Sequence, residues 1–419
     1  MIRSPHSPAD GRVEVMAHPP TMLFVVLCGV GFLSFISYNL VRMPALAPFT
    51  ESLGASPALV GMVIAASTMT GVLLKLPMGV LSDVINRRRL MLIGILAFAF
   101  PPFAYPHVTD VETLIVLRVV HGLATATFTP LALAMVAEMY QDTRGAALGW
   151  YTSAAQGGAL VGPVLGGWLV DQSGFSLTFE IAGVFGVLAL LLYMVVLAAP
   201  SSTVVPPKVT TTTVSDLLAS VKRVISHSQM RMTSLAEAAK MMANGTLMAF
   251  LPLYGLSVGL SLAEGGWLFG VQGLTSFVAK PFMGRVSDRV GRRPLIMLGL
   301  VICGLAIMGI SQTTGFVFLL LLAAVFGFGE AVVTSSSAAL IADLSGGQRL
   351  GAGMGLRGTI MDIGHAGGPI VAGVLVGTIG YTGGFIAIGS IQLVAALGFG
   401  AVMYRTQIAS SSSMDDKAC

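Results

Sequence analysis

The chain has 419 residues, of which 55% are hydrophobic and only 10% charged, and its formal net charge is +4. A soluble domain carries roughly 25% charged residues, so this composition excludes an ordinary water-soluble globule and points to lipid as the solvent. The small positive excess does not describe a nucleic-acid surface, and no phosphate-binding or nucleic-acid motif accompanies it.

Residues 1–20 contain Arg3, Asp10, Arg12 and Glu14 but no short apolar core followed by a cleavage site, so they read as an N-terminal tail rather than a signal peptide. A spanning helix needs about 20 mostly apolar residues. Six such stretches follow at 21–43, 57–78, 90–106, 112–137, 145–170 and 178–199, making a first unit over 21–199. Residues 200–231 hold Pro200, Pro206, Pro207 and the run Thr210 to Thr213, which is too polar and broken to span, and they read as a linker. Within it Ser215 can cap a short amphipathic helix from Asp216 to Ile225, suited to the membrane surface. Six further stretches at 232–257, 264–284, 294–311, 315–342, 350–376 and 382–405 make a second unit over 232–405. Residues 406–419 read as a tail, disordered from Ser410, with Ser411 to Ser413, Asp415 and Asp416. The expected fold is an all-α polytopic membrane protein of twelve transmembrane helices in two six-helix bundles.

Lys and Arg concentrate in cytoplasmic loops. Arg87, Arg88, Arg89, Arg144, Lys208, Lys222, Arg223, Arg289, Arg292, Arg293 and Arg349 fall in alternate connections that share one side. Both termini, the linker and the tail are therefore expected in the cytoplasm. Cys28 and Cys303 lie within helices and Cys419 is the last residue, so neither a disulfide framework nor a metal-ligand cluster is expected.

A basic phrase occurs twice, as Gly79-Val80-Leu81-Ser82-Asp83 through Arg87-Arg88-Arg89 and as Gly284-Arg285-Val286-Ser287-Asp288 through Arg292-Arg293, with aspartates 205 residues apart. Lys75 and Lys280 precede the two phrases at the same spacing, Glu138 matches Asp343, Arg144 matches Arg349, and Gly162-Pro163 matches Gly368-Pro369 at 206. Six helices per unit is an even number, so the two units enter from the same side as parallel repeats.

The doubled phrase resembles the Gly-x-x-x-Asp-x-x-Gly-Arg-Arg loop signature of the major facilitator superfamily of secondary transporters, and the likeness extends over essentially the whole chain. The second copy has Gly291 where the first has Asn86, a change suited to a left-handed backbone. Leu117-Arg118-Val119-Val120-His121-Gly122 resembles the superfamily's intramembrane arginine motif, with His121 in place of the more usual glutamine. Gly158-Ala159-Leu160-Val161-Gly162-Pro163-Val164-Leu165-Gly166-Gly167 resembles the helix-five signature of its proton-coupled antiporters, with a degenerate echo at Gly364 to Gly368, Pro369 and Gly373. The resemblance implies two bundles around a central cavity, alternating access and proton exchange; it does not identify the substrate.

Several residues are candidates for function. Lys75, Gly79, Asp83, Arg87 and Arg88, with Lys280, Gly284, Asp288, Gly291, Arg292 and Arg293, form a candidate latch between bundles, because a carboxylate beside arginines can pair in one state and part in the other. Orientation by positive charge alone explains the arginines but not the repeated glycine and aspartate. Arg118 inside helix four needs a partner or a water-filled cavity, since a charge at mid-membrane costs at least about 2.5 kcal/mol. His121 shares its face, either in the same water or hydrogen-bonded in the core. Glu330, in the middle of helix ten, has no acidic match in the first unit and suits proton binding, as does Asp362 with His365 one turn on, unless Asp362 is a structural partner of Arg357. Glu237 and Lys240 stand three apart and can meet on one face, although Lys240 can also snorkel to the surface. Tyr38, Asn39 and Asn244 are candidate cavity residues, and Asn39 and Asn244 are again 205 apart. Gly158, Gly162, Gly166 and Gly167 have the spacing for close helix approach, and Pro163 bends its helix.

Together these features predict a proton-coupled exporter of a small amphipathic or drug-like molecule in a bacterial inner membrane, needing no cofactor. A symporter importing a sugar or carboxylate is the alternative, and a membrane receptor or scaffold without transport is the reading from another class. An enzyme is not expected, because no nucleophile, base and metal constellation is present.

Overall fold

Long apolar runs separated by a few polar residues can satisfy their backbone in lipid only as helices or a closed barrel, and the computed structural model, which describes residues 22–82, 85–198, 227–345 and 350–418, is built from helices throughout. The first half comprises α1 (Met22–Ser52), α2 (Pro57–Leu81), α3 (Arg87–His107) and α4 (Val111–Met139). The helical run Arg144–Ala198 turns at Gly174 into α5 (144–173) and α6 (175–198). The second half comprises α7 (Ser228–Ser257), α8 (Leu262–Val290), α9 (Arg292–Ile310) and α10 (Phe316–Ser345). The run Leu350–Ala418 turns at Gly380 into α11 (350–379) and α12 (381–418). Gly174 has φ 76° and ψ 178°, and Gly380 has φ 73° and ψ 177°. This region is open only to glycine, and the two positions are repeat mates.

Several boundaries differ from the sequence reading. Helix α7 begins at Ser228 rather than 232, and α12 continues helically to Ala418, where a tail was expected from 406 and disorder from Ser410. The N-terminal tail and most of the linker, including its amphipathic helix, lie outside the described residues. Helix α1 is not continuous: Val41–Ala45 breaks it, with Met43 extended at φ −139° and ψ 130° and Pro44 lacking a donor.

Each half repeats one packing plan. Helix α1 lies along α5, α2 along α4 and α3 against α6; correspondingly α7 lies along α11, α8 along α10 and α9 against α12. Glycines allow the close approaches: a methyl at Gly158 would collide with the Phe32 carbonyl of α1, and one at Gly364 with the Ala238 carbonyl of α7. The lipid-facing sides carry exposed apolar residues such as Phe318, Val394 and Leu397.

The halves meet along two seams, α2 with α11 and α5 with α8. Gly61 and Gly373 abut Pro369 and Pro57, while Gly167 and Gly266 abut Leu262 and Pro163. All these contacts lie toward the face opposite the arginine-rich loops, here called the far face. There Asp171, at the end of α5, accepts the backbone N–H groups of Leu262 (3.1 Å) and Ala263 (2.8 Å) at the start of α8, where the positive end of the helix favours an anion. Toward the basic face the seams splay: Gly145 and Gly149 of α5, Gly284 of α8 and Gly358 of α11 have nothing within 4 Å of where a Cβ would stand. The apolar core divides in the same way. One cluster joins both halves through Leu46, Phe49, Leu169, Leu251, Leu262 and Phe269. Toward the basic face a cluster around Met91 and Phe128 belongs to the first half alone, and one around Leu300 and Phe399 to the second. The molecule is therefore sealed at the far face and open toward the basic face.

Candidate functional site

Arg118, on α4, is fully buried. Its guanidinium donates to the hydroxyls of Ser67 and Tyr105, the latter at 3.3 Å, and lies 5.9 Å from the centre of the Tyr38 ring. His121 follows one turn on, with Nδ1 at 3.0 Å from the Tyr105 hydroxyl, and the Tyr38 hydroxyl donates to Ser67 at 3.1 Å. Among the described residues no carboxylate lies within ion-pair reach of Arg118. The cation is thus held by hydroxyls and an aromatic face inside the first half. Of the two expectations, a partner or a water-filled cavity, Arg118 meets the first, standing behind Tyr38.

A second group of charges is built on α7, α10 and α11. Glu237, fully buried, receives Lys240 at 3.0 Å, Arg357 at 3.2 Å and the Ser337 hydroxyl at 2.5 Å. Lys240 also donates to Thr334 at 3.0 Å and lies 3.9 Å from Glu330. Three expectations change here. Lys240 does not snorkel; its side chain is 2% exposed and points inward, because three acceptors converge on it. Glu330 is not isolated, and Arg357 is taken by Glu237 rather than by Asp362. Two cations and two carboxylates make the quartet neutral.

The third group crosses between halves. Lys75 of α2 pairs with Asp362 of α11 at 2.5 Å. Arg42, at the break in α1, reaches His365 Nε2 of α11 at 2.8 Å and Thr68 at 3.1 Å, and its guanidinium lies 5.5 Å from the Tyr38 ring centre. Because arginine only donates, Nε2 of His365 is the acceptor and its proton sits on Nδ1. Arg42 is the functional residue that sequence reading passed over. Its signal was an arginine closing an apolar run two residues before Pro44.

These groups surround two adjoining cavities of about 280 Å³ each, which share Asn39, Arg42 and Ala159. The first lies between α5 and α8 and is walled by Gln156, Leu160, Asn244, Met248, Phe269, Gln272, Lys280 and Glu330. The second lies between α2 and α11 and is walled by Phe35, Tyr38, Lys75, Asp362 and His365. The repeat mates Asn39 and Asn244 therefore face one space. Glu237 and Lys240 stand behind the walls, and Lys75 and Lys280, grouped with the loop phrase by sequence, are cavity residues.

At the basic face the loop phrase makes contacts within each half. Arg87 pairs with Glu138 at 2.5 Å; Arg292 pairs with Asp288 at 2.7 Å and Asp343 at 3.1 Å. Arg88 is buried, and its carbonyl accepts the Tyr193 hydroxyl at 2.7 Å. Gly79 lies within α2, Arg293 in the first turn of α9, and Asp83 outside the described residues. Gly291 takes φ 101° between α8 and α9, but Asn86 does not follow it: at φ −52° it accepts the Arg88 N–H and caps α3. The helix-five glycines serve as packing surfaces, with Gly158, Gly162 and Gly166 against α1 and Gly167 against α8, and Pro163 offers its carbonyl to the Gly266 contact.

A family model described as Major Facilitator Superfamily matches residues 27–263 and 233–413. The multi-drug resistance efflux pump PmrA of Streptococcus pneumoniae is 24% identical over 383 residues, covering 90% of this chain and 94% of the pump. Multidrug resistance protein MdtG of Salmonella arizonae is 23% identical over 376 residues, covering 87% and 91%. The crystal structure of the nucleoside transporter NupG superimposes with a TM-score of 0.77 at 14% identity, covering 91% of this chain and 99% of that one. A bacterial homologue of the human lysosomal transporter Spinster, inward-facing and occupied, gives 0.75 at 17% identity, covering 91% and 96%. At these identities the structural likeness concerns the fold.

Proposed function

The chain belongs to the Major Facilitator Superfamily and is a multi-pass membrane transporter, and from that premise we propose that it exports a small amphipathic compound across the inner membrane in exchange for protons. Taking the arginine-rich face as cytoplasmic, the conformation described above faces inward. Its cavities then receive substrate from the cytoplasm, and the far-face seams must part to release it. The drug pumps among the relatives favour export, and the mixed lining of Met43, Met248 and Phe269 with amides suits an amphipathic solute.

The observation that carries proton coupling is the Lys75–Asp362 pair at 2.5 Å, which joins the halves while Asp362 borders a cavity. Ionised, Asp362 holds α2 to α11; a proton on it removes the charge that Lys75 holds and weakens the seam. Glu330, facing the other cavity and only loosely engaged by Lys240, is the second carboxyl able to take the proton. The loop phrase, whose ion pairs here lie within each half, acts as the latch of the alternative, outward-facing state by pairing across the halves. Proteoliposomes with an imposed pH gradient test the assignment. Efflux should follow the gradient in the parent chain and lose that dependence in the double variant Asp362→Asn/Glu330→Gln. Flux indifferent to the gradient, or still driven by it in the double variant, sinks the coupling.

A further inference from the structure

The repeat that relates Lys75 to Lys280 does not relate their partners. By the offset of 206 that matches Gly162-Pro163 to Gly368-Pro369, the mate of Asp362 is Gln156. On the α2–α11 seam the lysine therefore meets a carboxylate. On the α5–α8 seam Lys280 and Gln156 border one cavity, and a neutral amide stands where the carboxylate would be. Among the described residues no carboxylate lies within 4.0 Å of the Lys280 ammonium.

Arg42 enters the same cavity from the other half, and its partners are also neutral: His365, Thr68 and the face of Tyr38. Its Nε is buried without a hydrogen-bond partner. Two of the three interior carboxylates are firmly engaged and the third only loosely. Asp362 is held by Lys75, Glu237 by Lys240 and Arg357, and Glu330, across the cavity, has Lys240 at 3.9 Å. Two cations, one from each half, face a space that a single carboxylate, Glu330, borders; its other walls are amides, Ser276 and apolar side chains. Partly buried cations favour a counter-charge, and the one carboxylate of this cavity, already near Lys240, does not balance both.

We infer that the cavity binds a small organic anion, an apolar body bearing one carboxylate or similar acid group, with that group between Lys280 and Arg42. This rests on the cavity being the substrate site. The bound acid group takes the place that Gln156 leaves empty, and it bridges the halves on the α5–α8 seam as Asp362 does on the other. Both arginine and lysine are suited to this, since charge-assisted hydrogen bonds to an oxyanion are the stronger kind.

The test is calorimetric binding to the purified, detergent-solubilised chain of three probes with one aromatic body: 1-naphthylacetate, 1-naphthylacetamide and 1-naphthylethylammonium. The carboxylate should bind at least tenfold more tightly than the amide, and the ammonium more weakly than either. Lys280→Gln should abolish that preference. Gln156→Glu, which supplies an internal carboxylate opposite Lys280, should abolish it too while melting no lower than the parent chain. A carboxylate that binds no better than the amide, or not at all, overturns the inference, as does a preference that survives in both variants. Failure of this inference is distinct from failure of the exporter reading. Gradient-driven flux of a neutral dye without carboxylate preference would remove only the former, and selective binding without gradient-driven flux only the latter.

Discussion

Replacing Lys240 by methionine removes one ammonium from the buried quartet while nearly preserving side-chain volume. Lys240 Nζ stands 3.0 Å from Glu237 and 3.9 Å from Glu330. With an effective dielectric constant of 20, Coulomb's law gives roughly 5.5 and 4.3 kcal/mol of gross attraction for these separations. The methionine escapes the desolvation that the lysine suffers, which offsets much of that sum. Glu237 also keeps Arg357 and Ser337, so the uncompensated group is chiefly Glu330. Loss of one partner from a buried pair costs about 3–5 kcal/mol, and the partial shelter of Glu237 places this variant near 3. Thermal unfolding in detergent, followed by intrinsic fluorescence, should show a clear drop in melting temperature. The double variant Lys240→Met/Glu330→Gln, which removes the orphaned charge as well, should recover roughly half of the loss. A single variant that melts with the parent chain would refute the account of the quartet, and a double variant worse than the single would refute the role given to Glu330.

Gly61→Ala sets a methyl against the Pro369 carbonyl and should cost about 1–3 kcal/mol in the sealed state; labelling by an impermeant maleimide of a single cysteine introduced in the far-face seam should rise, and unchanged labelling counts against the seam. Gly174→Ala and Gly380→Ala force a side chain into φ near 75° and should each destabilise by about 1–3 kcal/mol, read as lower melting temperatures. Tyr105→Phe takes one acceptor from Arg118 and one partner from His121, and should cost about 1–3 kcal/mol of stability. Because Tyr105 borders neither cavity, binding affinity should stay within about twofold of the parent, which a titration of any ligand that binds the parent chain would check.

The helices and their repeat were legible because apolar run length is written directly in the sequence, whereas the turns at Gly174 and Gly380 emerged only with the backbone geometry. Much of the charge geometry was not. Lys75 and Asp362 are 287 residues apart, so no local spacing links them. Lys240 looked like a snorkelling side chain because periodicity does not say whether a polar face looks toward headgroups or toward another helix. Arg42 was read as the end of a helix, when the chain passes through a break there and continues to Ser52. Asn39 and Asn244 were found in advance, since the repeat alone brought them to equivalent positions.

Asp171 offers its carboxylate to the start of α8 on one seam, but its repeat mate is Gly377, which meets only Pro57 on the other. At the far face the α5–α8 seam therefore adds a charged hydrogen-bonding contact to its close packing, while the α2–α11 seam has packing alone. Exposed charge is screened within about 8 Å at physiological ionic strength, and apolar contact is not. Salt at the far face is thus a lever on one side of the gate alone. Raising it should loosen the α5–α8 edge first, so that the transporter opens like a door rather than a pair of jaws.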